Sequence, residues 1–125
     1  MKKIAVLLSG LLLSCTFIST SVFAKDVDVG EAMKAMGKSY RLIMKDTDLA
    51  SFKKDLTTFR TAAVEAKSGK IEDTKMTDFA VGMKALIDET DVVSKLANDG
   101  KLDAAKTEAA KLRDLMKTYH HKLGV

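Results

Sequence analysis

The sequence lacks proline and tryptophan altogether, and its 125 residues include one cysteine and two histidines. Because proline interrupts helices, its absence, together with abundant alanine, lysine, leucine and methionine, predicts an all-α domain. A chain of this length is sufficient for one domain and too short for two. A single cysteine cannot form a disulfide within the chain, which excludes a disulfide-based scaffold.

The amino-terminal stretch has the pattern of a secretory signal peptide. Two lysines precede an apolar run at 4–13, and the stretch ends at Ala24 in a small-x-Ala cleavage site. The apolar run is too short to span a membrane as a helix. We therefore predict a cleaved signal peptide at residues 1–24, a mature domain at residues 25–125 and a periplasmic location.

Removal of this segment changes the thiol content and the charge. Cys15 would leave with the signal, so the mature domain would have no thiolate metal site and no iron–sulfur cluster. The alternative is lipoprotein processing that leaves a lipid-anchored Cys15, with residues 16–23 as an unusually apolar linker. Loss of two of the 21 basic residues leaves 19 against 17 acidic ones. This balance favours neither nucleic-acid binding nor, after signal cleavage, membrane binding.

Apolar residues recur at helical spacing in four segments of the mature chain. The predicted segments run over about 28–45, 48–69, 74–98 and 102–123. Asp28 and Asp48 are expected to be the N-caps of the first two helices, and Gly69 is expected to end the second. Each segment has one apolar side and one charged side, and short connections make consecutive helices antiparallel neighbours. We therefore predict an antiparallel up-down-up-down four-helix bundle.

The two histidines are adjacent near the carboxyl terminus, and helical periodicity separates their roles. His120 continues an apolar stripe formed by Leu112, Met116 and Leu123, whereas His121 lies on a charged stripe. His120 is therefore expected to face the core and His121 to face water. A buried imidazole needs a partner, because an unpaired polar group in an apolar environment costs about 1–3 kcal/mol.

The predicted topology brings the start of helix 1, the connection between helices 2 and 3 and the end of helix 4 to one end of the bundle. Met33 and His120 would then face each other across an apolar slot, with Phe59, Phe79 and Met83 as its walls. A thioether and an imidazole without thiolates suit the two axial positions of a haem iron. With both positions filled by protein, electron transfer is favoured over catalysis.

The same residues also fit simpler or different roles. Met36, Met83 and Met116 fit ordinary core packing, and His120 fits a hydrogen-bonded core or capping histidine. A soft Cu(I) site formed by Met33, Met36 and His120 is a further alternative. The sequence has no glycine-rich phosphate loop, no cysteine nucleophile in the mature domain and no paired Glu-x-x-His motifs, so no enzyme activity is predicted.

Several stretches resemble the soluble cytochrome b562 family of the bacterial periplasm over about residues 26–122. They are Glu31-Ala32-Met33, Arg60-Thr61-Ala62-Ala63, Asp78-Phe79 with Gly82, Lys95 to Lys101, and Tyr119-His120. The resemblance implies a monomeric electron carrier that binds one non-covalent haem b and exchanges electrons with unidentified partner proteins. It implies Met33 and His120 as the iron ligands and Phe79 as a wall of the haem pocket. Met36, Met83 and Met116 complete the set of expected cofactor contacts.

The chain also departs from the family pattern near this site. Met116 stands where the family has an arginine, Met83 stands where it has a second pocket aromatic, and the connection at 67–75 is shorter. Covalent haem attachment would need cysteines at the positions of Met116 and Tyr119, so the haem is expected to be extractable. These departures motivate one alternative from another functional class: a haem-free periplasmic adaptor or stress protein that keeps the same fold.

Overall fold

The computed structural model describes residues 27–125, and this part of the chain is helical without any strand. The four helices are α1 (Val29–Lys45), α2 (Leu49–Ser68), α3 (Met76–Asn98) and α4 (Leu102–Leu123). A short 3₁₀ turn (Asp73–Lys75) precedes α3. Consecutive helices pack on each other and α1 closes the bundle against α4, which confirms the predicted all-α four-helix bundle. The predicted signal peptide and Cys15 lie outside the described residues.

Side chains near in sequence fix where the first two helices begin. An Asp28 Oδ1 accepts a hydrogen bond from the backbone N–H of Glu31 at 3.1 Å. Asp48 Oδ2 accepts one from the backbone N–H of Ser51 at 2.9 Å. Each bond satisfies one of the free N–H groups of a helical first turn, and a cap of this kind contributes about 1 kcal/mol. Both predicted N-caps are therefore confirmed.

The end of α2 depends on a close approach between helices. Gly69 is the C-cap of α2, and its backbone is extended with φ −78°. A Cβ at this position would collide with Cγ2 of Val29 and would lie 3.2 Å from the carbonyl oxygen of Ala66. The side chain of Val29, at the start of α1, thus occupies the space that a side chain at residue 69 would need. The prediction that α2 ends at Gly69 is confirmed, but the left-handed geometry common at such ends is absent.

The core runs along the whole axis of the bundle and is formed by all four helices. Its largest fully buried side chains are Phe52, Phe59, Phe79, Met36, Ile43, Leu86, Leu112, Val93 and Thr90. The one polar member of this set, Thr90, donates its hydroxyl hydrogen bond to the carbonyl oxygen of Ile87 at 2.6 Å, so it enters the core with its polar group satisfied.

Candidate functional site

An open apolar cleft of about 460 Å³ lies at one end of the bundle. It is bounded by the start of α1, the connection before α3 and the end of α4, the three segments that the predicted topology brings together. Its lining residues are Val29, Met33, Ile71, Glu72, Lys75, Phe79, His120, Leu123 and Val125. The volume falls within the range of small-molecule and cofactor sites.

The cleft narrows into a small gap of about 10 Å³ between the helices. Met33, Phe79, His120 and Leu123 line both parts. The inner gap adds Gly82, Met83, Leu86, Met116 and Tyr119. Met33 from α1 and His120 from α4 are therefore walls of the same cavity, although they are far apart in the sequence.

The predicted cofactor contacts divide into three groups. Met33, His120 and Phe79 line the open cleft, and Met83 and Met116 line its inner gap. Met36 is fully buried one turn farther along α1 and lines neither part. The predicted copper ligand set of Met33, Met36 and His120 is consequently not brought together in one cavity. Phe59, expected as a wall, is likewise core and lines neither part.

His120 differs from its predicted environment. The periodicity predicts that it faces the core, but its side chain is exposed. The reason is that it lies in the last turn of α4, where the neighbouring side of the bundle opens into the cleft. Within residues 27–125 its imidazole forms no hydrogen bond, so the alternative of a hydrogen-bonded core histidine is not supported. His121 is exposed, as predicted.

A contact between α4 and α3 holds the last turns of α4 beside the cleft. The ring of Tyr119 packs against Gly82 of α3, so closely that a Cβ there would be 2.7 Å from two ring atoms. Lys122 Nζ lies 5.2 Å from the centroid of the same ring, within cation–π range. Gly124 then ends the helix with a left-handed backbone, φ 70°. His120 therefore extends from a helix end that packs against α3 through the adjacent Tyr119.

The connection between α2 and α3 supplies cleft residues that the periodicity did not identify. Ile71 lines the cleft, and its backbone N–H donates to Sδ of Met76 at 3.3 Å, which ties the connection to the first turn of α3. At the rim, Lys75 Nζ lies 3.5 Å from a carboxylate oxygen of Glu72. These residues lie outside the apolar stripes of the helices, so periodicity could not identify them. The sequence indicated only that the 67–75 connection lies at this end of the bundle.

The arrangement can hold an apolar group between two donor side chains of different softness. A thioether and an imidazole project into the cavity from different helices, and the walls between them are aliphatic and aromatic. Within the described residues no three His, Cys, Asp or Glu side chains group together to hold a metal ion. The donors therefore suit a metal whose other ligands come with it, as in haem.

Comparison with known proteins decides the family. The sequence profile described as cytochrome b562 matches residues 28–123. This chain belongs to the cytochrome b562 family. The matched range begins at the N-cap of α1 and ends at the last residue of α4, so it covers the whole bundle and every residue of the inner gap.

Two relatives agree with this assignment. The chain is 37% identical over 119 residues to the "Probable soluble cytochrome b562 2" of Yersinia pestis, covering 89% of this chain and 93% of that protein. It is 34% identical over 116 residues to the "Uncharacterized protein PM0670" of Pasteurella multocida (strain Pm70), covering 89% and 94%. Membership of this family supports a haem-binding, electron-transfer protein. None of the helices in residues 27–125 is both long and apolar enough to cross a membrane.

Proposed function

We propose that this protein is a periplasmic electron carrier that binds one haem b non-covalently, with Met33 and His120 as the axial ligands of the iron. The observation that carries the proposal is that these two side chains, from opposite ends of the sequence, line one apolar cavity. Family membership supports the haem and the electron transfer, and the donor chemistry of the cavity supports the ligand pair.

The residues of the cleft have separate tasks in this function. Phe79 and Leu123 would present apolar surface to the macrocycle, and burial of apolar surface stabilises by about 25 cal/mol per Å². Met33 and His120 would fill both axial positions, which leaves no place for dioxygen or a substrate. Bound haem supplies a one-electron couple, and a methionine ligand raises its reduction potential relative to bis-histidine ligation. The protein is therefore a carrier and not an enzyme.

The rim of the cleft carries a positively charged side chain that can pair with carboxylates. Lys75 is part-exposed and only loosely paired with Glu72 at 3.5 Å. We assign Lys75 to the propionate groups of the haem, where it would replace the arginine that the family places at Met116. No cysteine is available at Met116 or Tyr119, so the haem would be held without a covalent bond to the chain and would remain extractable.

The sequence supports a proposal for the location, and the packing of the helices supports one for the assembly state. The signal pattern at residues 1–24 supports export to the periplasm, where a soluble carrier would meet partner redox proteins. We propose that the loaded protein works as a monomer, because the apolar sides of all four helices are already buried against each other. Size-exclusion chromatography with light scattering of the secreted protein tests the assembly state.

The first experiment is an absorption spectrum of the secreted protein, oxidised and then reduced, with pyridine-haemochrome analysis. We expect low-spin bands and about one extractable haem per chain. Met33→Ala and His120→Ala should each lose the low-spin spectrum. His121→Ala and Met44→Ala, which change a histidine and a methionine that do not line the cleft, should keep it. A Met33→Ala variant with an unchanged reduced spectrum would rule out that ligand.

The haem-free adaptor remains the second candidate, and one observation favours it. Met116 lines the inner gap at the position where the family has an arginine, so one cationic contact to a haem is missing. A colourless protein that shows no saturable binding of added haem would establish this alternative, with Met33 and His120 then serving only as the walls of an apolar cleft.

A further inference from the structure

The outer face of α1 carries an unbroken row of positive charge. Its buried residues Ala32, Met36, Ser39 and Ile43 face the core. Lys34, Lys38, Arg41 and Lys45 each follow one of these by two positions, which is about 200° around a helix. All four are exposed and face away from the core. The row extends over eleven residue steps, about 17 Å at the helical rise.

No acidic side chain interrupts this row. Between Glu31 and Asp46, α1 contains no carboxylate. Within residues 27–125, none of the four cations forms an ion pair. The outer faces of other helices differ, since Lys84 pairs with Asp88 along α3 at 2.6 Å and Lys111 pairs with Glu108 along α4 at 2.9 Å.

Helix α4 adds cations on the side that faces α1. Lys106 Nζ donates to the carbonyl oxygen of Asp46, immediately after α1, at 2.8 Å. Arg113 and Lys117 follow Lys106 by seven and eleven positions, which returns them to the same side of α4. They are exposed, and His120 at the cleft follows on that side. We define the basic ridge as Lys34, Lys38, Arg41, Lys45, Arg113 and Lys117.

The basic ridge ends at the cleft. Lys34 adjoins Met33 in α1, and Lys117 lies one turn before His120 in α4, so both rows of cations lead to the walls of the cavity. A partner held on the ridge would therefore lie beside the cleft edge. Since outer-sphere electron transfer requires close approach, the ridge has the position and the charge of a docking surface.

We propose that the basic ridge is the docking surface for an acidic redox protein; this rests on the electron-transfer function proposed above. Complementary charge steers encounter and raises association rates by about 10- to 1,000-fold at low salt. A protein surface fits better than an anionic membrane, because α1 has no apolar face left to insert. Its apolar side is in the core, and Leu42 is its only large apolar residue that is exposed.

The test uses an acidic plant-type [2Fe–2S] ferredoxin as the probe and the haem-loaded protein as electron acceptor. Stopped-flow second-order rates are measured from about 20 mM to about 500 mM salt, where screening removes long-range attraction. We expect the wild-type rate to fall about tenfold or more over this range. Lys38→Glu/Arg41→Glu should lower the low-salt rate about tenfold and flatten its salt dependence.

A matched control separates the ridge from net charge. Lys54→Glu/Lys95→Glu places the same charge change on exposed residues of α2 and α3 that form no ion pair within the described part of the chain. Haem content and reduction potential are checked for every variant. The control should lower the low-salt rate about twofold at most. Equal losses in the ridge variant and the control would overturn the proposal.

A second arm does not depend on haem. An ¹⁵N-HSQC titration with the same ferredoxin is run on the loaded protein and, if haem does not bind, on the haem-free protein. Shifts concentrated at residues 34–45 support the docking surface even if the proposed carrier function fails. If the haem-loaded protein shows no shifts at these residues, the docking proposal is overturned and the proposed carrier function is not. Ridge-dependent sedimentation with phosphatidylglycerol vesicles, without a response to ferredoxin, would reassign the ridge to lipid and also overturn the proposal.

Discussion

The ring of Tyr119 on α4 lies directly against the backbone of Gly82 on α3. A Cβ at Gly82 would be 2.7 Å from both Cγ and Cδ1 of that ring, closer than side-chain atoms normally approach. Tyr119 immediately precedes His120, and both line the inner gap of the cleft together with Gly82. The absence of a side chain at Gly82 thus sets how closely the end of α4 approaches α3.

Gly82→Ala should therefore destabilise the protein and weaken haem binding. In a helix free of neighbours, replacing glycine by alanine stabilises by about 1 kcal/mol. Here the added methyl group must displace the Tyr119 ring, and overpacking of this kind costs about 1–3 kcal/mol. Urea unfolding and haem titration measure the two effects.

Gly37→Ala is the matched control for this prediction. Gly37 is also inside a helix, but a Cβ there meets nothing within 4 Å. The variant should gain about 0.5–1 kcal/mol and keep wild-type haem binding. If Gly82→Ala gained as much stability as Gly37→Ala, the contact with Tyr119 would not constrain the helices.

Phe79→Leu should weaken haem binding more than its effect on stability explains. Phe79 is 1% exposed and lines both parts of the cleft, so its ring serves the core and the cofactor site. Phe52→Leu is the control, because Phe52 is equally buried but lines neither part. Both variants should lose about 1 kcal/mol of stability, measured by urea unfolding. Only Phe79→Leu should increase the dissociation constant of haem, and equal constants would contradict the assignment.

Loss of the Asp28 cap should affect the cofactor site. Asp28 caps α1 one turn before Met33, so Asp28→Ala should loosen the first turn of α1, cost about 1 kcal/mol and lower haem affinity. Asp28→Ser should retain most of the wild-type stability and most of the haem affinity. Asp48→Ala removes the corresponding cap of α2 at the opposite end of the bundle; its stability loss should be similar, with haem affinity unchanged. Thermal unfolding and haem titration distinguish the two caps.

Lys75→Met should lower haem affinity and leave the stability of the haem-free protein nearly unchanged. Lys75 lies at the cleft rim, where its ammonium group would pair with propionates, and an exposed pair of this kind contributes about 0.2–1 kcal/mol. Lys70→Met changes an exposed lysine of the same connection that does not line the cleft. Equal haem dissociation constants for the two variants would remove Lys75 from the site.

The protein should lose stability as the pH rises between about 4.5 and 7. Burial, together with the neighbouring carboxyl group of Glu108, raises the pKa of Glu89 from 4.5 to about 7. In this interval the folded state holds a proton that the unfolded state has released, so the free energy of unfolding decreases with rising pH. Burial, together with Asp55, raises the pKa of Asp46 to about 6 and adds to the same trend.

Glu89→Gln isolates the contribution of one carboxyl group. The amide cannot ionise, so the variant should be more stable than wild type at pH 8 and should vary less in stability between pH 4.5 and 7. The contribution of Asp46 should remain. Asp114→Asn, which neutralises an exposed residue of α4, should follow the wild-type curve. Urea unfolding across the pH range provides the measurement, and parallel curves for Glu89→Gln and wild type would refute the expectation.

The residues whose positions the sequence predicted correctly depend on interactions within one or two helical turns. Asp28 and Asp48 cap their helices through a backbone N–H three residues ahead, a separation that the chain itself fixes. Apolar periodicity likewise placed Leu112 and Leu123 on the buried side of α4. Local patterns alone did not assign Met33, Phe79 and His120 to one cavity. That assignment combined the bundle topology with the resemblance to a family. Their role as cofactor contacts remains a prediction.

The amino-acid sequence by itself determined four amphipathic helices, their order and the caps that begin two of them, because these depend on local hydrogen bonds and on a fixed period. Only the tertiary structure decided that His120 is exposed at the cleft, that Met36 does not line it and that Tyr119 rests on Gly82. These outcomes depend on how each helix is rotated about its axis and how closely it approaches its neighbours. Packing between distant segments sets both quantities, and no local pattern encodes them.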